Sequence, residues 1–285
     1  MSNASSRIPP SVVLIFMLII SPLIDSYYTF RLRSQDYRYS VYNAALKKDL
    51  RGSKTGRILL RNLAQTMNEH PAFHQEFSRL VGPENYQKSF WESDLGYLWY
   101  ENNFNVSNKY FDFALEEIKK NDSRSLLDVG CGWGGFCNKA AALKTMERIK
   151  GIDISEDIIL KAKEAASSPS IVFECEDALN ENEHFDLITL FGSTDYIPSQ
   201  VFEKMLEHLL VHASKQVIIV NSLRGIPFEK ALALETAIEV KRYDDGYLQP
   251  ISFFLKKLKL KYTFEFTVTK YGQDSQMAVI HMNKA

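Results

Sequence analysis

After Arg124 the chain alternates short apolar runs with helical segments, a rhythm that a parallel sheet covered by helices satisfies. The runs are RSLLDV (124–129), RIKGIDI (148–154), SIVFEC (170–175), FDLITLF (185–191) and QVIIVNS (216–222). Between them, a helix is expected from near Gly135, another over SEDIILKAKEAA with Ser155 as its N-cap, and a third over VFEKMLEHLLVHA. After a long connection and the helical ISFFLKKL, YTFEFTVTK (262–270) and QMAVIHMN (276–283) are close enough to pair as an antiparallel hairpin. The expected fold class is α/β: a seven-stranded, mostly parallel sheet flanked by helices, with an antiparallel C-terminal hairpin and an N-terminal helical extension.

Upstream the chain divides into residues 1–33, 34–107 and 108–285. In the first part VVLIFMLIISPLI (12–24) is uncharged, and the greasy stretch extends back to residue 8. A spanning helix needs about 20 apolar residues. Two readings of residues 8–24 therefore stand, a membrane anchor or interfacial helix and a buried helix. Arg31, Arg33 and Arg38 follow the run while Arg7 alone precedes it, which would keep the folded domain cytoplasmic, tethered if the run is an anchor. Residues 34–107 read as a helical extension or substrate cap. GRILLRNLAQTM puts Ile58, Leu59, Leu63 and Met67 at helical spacing, and the aromatic stretch from Phe90 to Phe104 holds Trp91, Tyr97, Trp99 and Tyr100, as core packing or as a pocket wall. NKYFDFALEEIKK opens the last part as a helix.

Composition excludes some classes of function. A formal net charge of −1 with interspersed signs leaves no footprint for a phosphate backbone, so nucleic acid is not the expected partner. Cys131, Cys137 and Cys175 have no metal-ligand spacing, and their odd number fits a reducing compartment. His70 and His74 lack the H-E-x-x-H context, so no metal is expected.

The chemistry concentrates in LLDVGCGWGGF, between the first strand and its helix. Gly130, Gly132 and Gly134 let the backbone turn tightly and approach a ligand. Gly130, Gly132 and Gly135 also satisfy the dinucleotide fingerprint, with Asp153 at the spacing of a ribose carboxylate. Asp128 separates the two readings, since a carboxylate there suits an ammonium and would repel a pyrophosphate. The segment resembles motif I of class I S-adenosylmethionine-dependent methyltransferases, acidic-x-Gly-x-Gly-x-Gly. The resemblance covers about Asn108 to Ala285. It implies S-adenosyl-L-methionine as cofactor, held by Asp128, Gly130, Cys131, Gly132 and Gly134. It further implies Asp153 on the ribose hydroxyls, Ile154 packed on adenine, and Asp177 with the Ala178 backbone at the adenine edge. Phe191 belongs to the fourth strand and following loop, where the family positions donor and acceptor. The resemblance also implies a seventh strand running antiparallel between the fifth and sixth. Asp177 has an alternative as a solvated loop residue, and Cys131 and Trp133 as local packing.

Methyl transfer is an in-line displacement, so positioning the acceptor is the protein's main task, and an oxygen acceptor gains from a base. Asp195 and Tyr196, after the fourth strand, are the catalytic candidates; Asp195 also reads as a turn residue before Pro198. GSTDY replaces the Asn-Pro-Pro-Tyr type of nucleobase-methylating relatives, which favours a small-molecule or lipid/sugar-type acceptor methylated at oxygen or nitrogen. The connection Leu223–Pro250 is long enough to cover an acceptor pocket, with PFEKALALETAIEV expected as a helix and Lys241, Arg242 and Tyr243 as a solvated loop or a contact to an anionic substrate. The competing classes are an NAD(P)-dependent Rossmann oxidoreductase and a non-catalytic methyltransferase-like binding module.

Overall fold

The computed structural model describes residues 35–47, 50, 53–69, 71–82, 85–100, 109–223, 225–240, 246–272 and 274–283. The apolar run of residues 8–24 and the Lys241, Arg242 and Tyr243 segment lie outside the described residues. Among the described residues no helix is long and apolar enough to cross a membrane. The chain falls into two compact units, Met1–Asn102 and Asn103–Ala285.

The first unit holds five helices among its described residues: α1 (Gln35–Leu46), α2 (Lys54–Glu69), α3 (Pro71–Val81), α4 (Tyr86–Glu92) and α5 (Asp94–Tyr100). Leu59 and Leu63 of α2 are buried as their spacing requires, with Leu60, Val41, Tyr42, Phe77, Phe90 and Leu95 in the same cluster. Tyr42, Phe77 and Phe90 meet edge to face at centroid distances of 5.4 and 6.1 Å, the geometry ring quadrupoles prefer. Of the aromatic stretch, Phe90 is buried here and Trp91 and Tyr97 pack against it, so these residues serve the core. Arg38 grips both carboxylate oxygens of Glu76 and stacks 4.4 Å over Phe73.

In the second unit α6 (Lys109–Lys120) precedes β1 (Ser125–Val129), α7 (Gly135–Ala141), β2 (Arg148–Asp153), α8 (Glu156–Glu164), β3 (Ile171–Cys175) and β4 (Phe185–Phe191). Then come α9 (Ser199–His212), β5 (Ala213–Ser222), α10 (Phe228–Leu232), β6 (Ile238–Val240), β7 (Gly246–Leu248), α11 (Ile251–Leu258), β8 (Phe264–Tyr271) and β9 (Ser275–Met282). The seven-stranded sheet runs β3-β2-β1-β4-β5-β9-β8. β1 to β5 are parallel neighbours, while β9 is antiparallel to both β5 and β8, inserted between them. Ser155 caps α8 as expected, its hydroxyl accepting from the Ile158 N–H.

Period-two alternation builds a core on each face. Leu127, Ile188, Ile219 and Ile280 point toward α9 and α11. Leu126, Leu187, Ile218 and Val279 point toward α6, α7 and α8. Each aliphatic side chain so buried contributes roughly 1.5–3 kcal/mol.

Two expectations are corrected. The helix read over PFEKALALETAIEV stops at Leu232, and Ile238–Val240 pairs antiparallel with Gly246–Leu248 as a separate two-stranded sheet. The β-branched Thr236, Ile238 and Val240 favour extended backbone, and Ile238 sits opposite Leu248, which is buried against Leu223 and Ala231. The fifth strand begins at Ala213 rather than Gln216: Ala213 pairs with Phe185, and an irregularity between Phe185 and Leu187 absorbs the offset.

Ile280 occupies the strand that locks the antiparallel edge and is fully buried, whereas Leu260 is 88% exposed. Ile280→Ala is expected to cost about 2–5 kcal/mol and Leu260→Ala less than about 0.5 kcal/mol, read from urea midpoints of the sheet unit followed by amide exchange in β5 and β9.

Candidate functional site

The carboxyl ends of β1, β2, β3 and β4 converge on one edge of the sheet, and the candidate cofactor residues together with Asp195 and Tyr196 follow from those ends. The turn leaving β1 holds Gly130, Gly132 and Gly134 at φ values of 67°, 54° and 75°, left-handed backbone that side chains rarely adopt. Space is equally restrictive. A Cβ at Gly130 would stand 2.3 Å from the Ser193 Cβ, and one at Gly134 would stand 2.4 Å from the Phe173 ring. The turn is strapped to β2: the Gly130 and Cys131 N–H groups donate to the Ile152 carbonyl at 2.8 and 3.0 Å, and the Gly132 N–H donates to Asp153 Oδ2 at 3.2 Å. Cys131 is buried against this core, and burial pushes its thiol up, in keeping with local packing. Trp133 is buried as well, with the Lys161 ammonium 4.3 Å over its ring.

Asp128 sits one residue inside the end of β1, 3% exposed. Register pairs it with Gly151 on β2 and Thr189 on β4. Its Oδ1 accepts from the Thr189 hydroxyl at 2.7 Å and its Oδ2 faces the Cys137 thiol of α7 at 3.7 Å. Burial raises its pKa to about 7 against the opposing Thr189 and Cys137 bonds, and the negative charge of Asp153 adds to the rise. Its neighbours Thr189, Cys137 and Asp153 carry no positive charge. At the end of β2, Asp153 turns its second oxygen to the Ser155 N–H at 3.0 Å. The next residue, Ile154, is 80% exposed, an apolar surface directly beside that carboxylate.

After β3, Asp177 is exposed and caps a short 3-10 turn at Ala178–Asn180, accepting from the Leu179 N–H at 2.9 Å, while Ala178 is buried. Phe191 ends β4, partly buried, with ring centroids 5.0 Å from Phe136 and 5.4 Å from Phe111. These rings tie the turn's helix, β4 and α6 into one wall.

Asp195 and Tyr196 form a second 3-10 turn, Ser193–Tyr196. Tyr196 is partly exposed, but Asp195 is buried, its Oδ1 accepting from the Asn221 amide and from the Ser222 N–H. Asn221 extends this into a network. Its Oδ1 accepts from the Gln249 N–H at 3.1 Å and the Gln276 amide at 3.2 Å, and the Gln249 amide reaches the Thr194 and Ile197 carbonyls. Sequence reasoning did not single out Asn221, Gln249 or Gln276, nor Thr189 and Cys137 as partners of Asp128. The visible signal was polar residues at buried strand positions: Thr189 within FDLITLF and Asn221 closing VIIVN.

Comparison with known proteins agrees with this geometry. Residues 126–215 match the sequence profile of the methyltransferase domain family, a stretch from β1 through the start of β5. By this match residues 126–215 are a stretch of methyltransferase domain. Over 107 residues the chain is 33% identical to the mitochondrial ubiquinone biosynthesis O-methyltransferase of Candida albicans, covering 34% of this chain and 33% of that protein. It is 30% identical over 164 residues to the malonyl-[acyl-carrier protein] O-methyltransferase of Bacillus cytotoxicus, covering 54% and 55%. The chain thus spans between a third and about half the length of these curated relatives. Among solved structures it is similar to the magnesium protoporphyrin IX methyltransferase of Synechocystis PCC 6803 with bound S-adenosylhomocysteine, at 15% identity and a TM-score of 0.46, covering 61% of this chain and 82% of that one.

The methyltransferase domain's own residues fit S-adenosylmethionine. The glycine turn is packed so closely by Ser193 and Phe173 that its backbone stays bare of side chains, Asp128 is bonded among the described residues to the uncharged Thr189 and Cys137, and Asp153 adjoins the exposed Ile154. Because the Asp128 carboxyl titrates near 7 in the folded chain and near 3.9 when unfolded, its neutral form is favoured by folding. That contribution is complete below about pH 4 and fades as pH rises to about 7. Asp128→Asn is therefore expected to flatten this decline, gaining on the wild type by about 1.4 kcal/mol per pH unit at most across the window. Urea midpoints at pH 4.5 to 8 check this, and parallel profiles would refute it.

Proposed function

We propose that the chain is an S-adenosylmethionine-dependent O-methyltransferase acting on a small-molecule acceptor. One observation carries the reading: two carboxylates, Asp128 and Asp153, bracket a glycine turn at the carboxyl edge of a sheet whose last strand runs antiparallel between β5 and β8. The relatives' names favour oxygen over nitrogen as the methylated atom. When bound, S-adenosylmethionine supplies a methyl group activated by its sulfonium centre.

In this reading Asp128 compensates the cofactor's ammonium, and the glycine turn admits its amino-acid end. Asp153 accepts from the ribose hydroxyls. Ile154 covers one face of the adenine, while Asp177 and the Ala178 backbone meet the base's edge. Phe191 and its aromatic neighbours exclude water beneath the methyl donor.

On the acceptor side Asp195 acts as a brace. Its carboxylate is committed to Asn221 and Ser222, so it fixes the loop on which the partly exposed Tyr196 stands. Tyr196 is then the residue of the pair that contacts the acceptor, and a hydroxyl acceptor is served chiefly by orientation. The chain's near-zero net charge and its GSTDY loop support a small molecule over nucleic acid.

Two measurements test this. Titration calorimetry with S-adenosylhomocysteine is expected to show Asp153→Asn weakened about tenfold or more, the loss of charge-assisted bonds to two hydroxyls. Incubation with methyl-labelled S-adenosylmethionine and fractionated small metabolites is expected to label an alkali-stable or ester-type oxygen, and Tyr196→Phe to raise KM for that acceptor without changing cofactor affinity. Label entering nucleic acid alone would overturn the acceptor class.

A further inference from the structure

Lys150 breaks the pattern of its strand. It lies in the middle of β2, between Leu127 on β1 and Val172 on β3, and is 9% exposed at a position where alternation calls for an aliphatic residue. Its ammonium meets three carboxylates: Glu174 at 2.7 Å, Glu176 at 2.9 Å and Glu181 at 2.7 Å. Glu181 is 2% exposed. Burial works to neutralise the lysine, yet Glu174, Glu181 and Glu176 hold it above the ordinary lysine range, and Lys150 in turn keeps Glu181 below the carboxylate range against its own burial.

The three partners share one relation in sequence. Glu174 and Glu176 come just before the 3-10 turn that carries Asp177 and Ala178, and Glu181 comes just after it. A single ammonium thus ties both stems of the turn to the strand that also ends in Asp153. Two further hydrogen bonds complete the frame: the Glu176 N–H donates to the Asp153 carbonyl at 3.0 Å, and the Glu183 N–H donates to the Glu181 side-chain Oε1 at 2.8 Å. An apolar side chain of similar volume would serve stability as well as a buried ion cluster does, because desolvating charges offsets most of their attraction. Holding a turn in one geometry is what the cluster adds.

We propose that Lys150 is a positioning residue for the cofactor's base, fixing the 174–181 turn so that Asp177 and the Ala178 backbone recognise the adenine amino edge. This deepens the methyltransferase reading and rests on it. Lys150 touches no cofactor atom and acts through Glu174, Glu176 and Glu181. The proposal therefore concerns base discrimination, and overall affinity follows from it.

Calorimetric titration with S-adenosylhomocysteine and with S-inosylhomocysteine, in which an oxo group replaces the 6-amino group, separates these effects. The wild type is expected to prefer the adenosyl ligand by about tenfold, the range of one buried hydrogen bond. Lys150→Met is expected to bind the adenosyl ligand about tenfold more weakly and the inosyl ligand within about threefold of wild type, so that the preference collapses. Lys150→Arg, which keeps the charge, is expected to restore most of it. Glu174→Gln removes the most exposed of the three partners, leaves the fold intact, and is expected to lower the preference in the same direction by about threefold, which decides the matter if Lys150→Met does not fold. Equal weakening of both ligands, an unchanged preference in Lys150→Met and Glu174→Gln, or a wild type blind to the amino group overturns the proposal and leaves the methyltransferase reading standing. A wild type that binds neither ligand overturns that reading itself.

Discussion

The bond from two successive turn amides to one carbonyl, Gly130 and Cys131 to Ile152, is the constraint on which the rest of this edge depends. It forces the chain leaving β1 to double back over β2, and left-handed backbone at Gly130, Gly132 and Gly134 is the result. With no Cβ in the way, Ser193 and Phe173 close onto the turn from both sides. The Asp153 carboxylate then finds the Gly132 N–H, so the end of the second strand is registered to the turn by a side chain as well as by the sheet. Sequence, backbone conformation and site are linked here by sterics before any ligand enters.

Around that turn the sheet carries polar groups where it would otherwise carry aliphatic ones. Asp128, Thr189 and Lys150 occupy buried strand positions, and Asn221 of β5, Gln276 of β9 and Gln249 form a buried network. Burying such groups is costly unless they are bonded, and each is engaged: Asp128 by Thr189, Lys150 by three glutamates, Asn221 by Asp195 and two glutamines. Asp128, Thr189 and Asn221 stand near the carboxyl ends of their strands and Lys150 in the middle of β2, against the aliphatic middle of β4, β5 and β9. Natural folds depart from local consistency chiefly where function requires it, and this edge is where the departures gather.

Much of this was legible in the residues. Period-two apolar runs between helical segments define seven strands, and the glycine spacing with Asp128 and Asp153 marks the edge proposed for the cofactor. Signals failed where the code is ambiguous. ALALETAIEV is compatible with either periodicity, and only the pairing of Ile238 with Leu248 decides for extended chain. Asp195 looks like a free acid in sequence because nothing local reveals that Asn221, 26 residues away, will consume its oxygen. Lys150 carries no signal of its role within RIKGIDI, since its three partners become neighbours only when β2 and β3 pair. Long-range partners of polar residues are the part that a linear reading cannot supply.

The central claim is that this turn accepts a cation-bearing nucleoside and rejects a pyrophosphate. Thermal unfolding of the full chain with S-adenosylhomocysteine or NAD at equal, saturating concentration tests it most directly, since a ligand that binds only the folded state raises the midpoint. The account predicts a shift of several degrees with S-adenosylhomocysteine and none with NAD. A shift with NAD alone would contradict it.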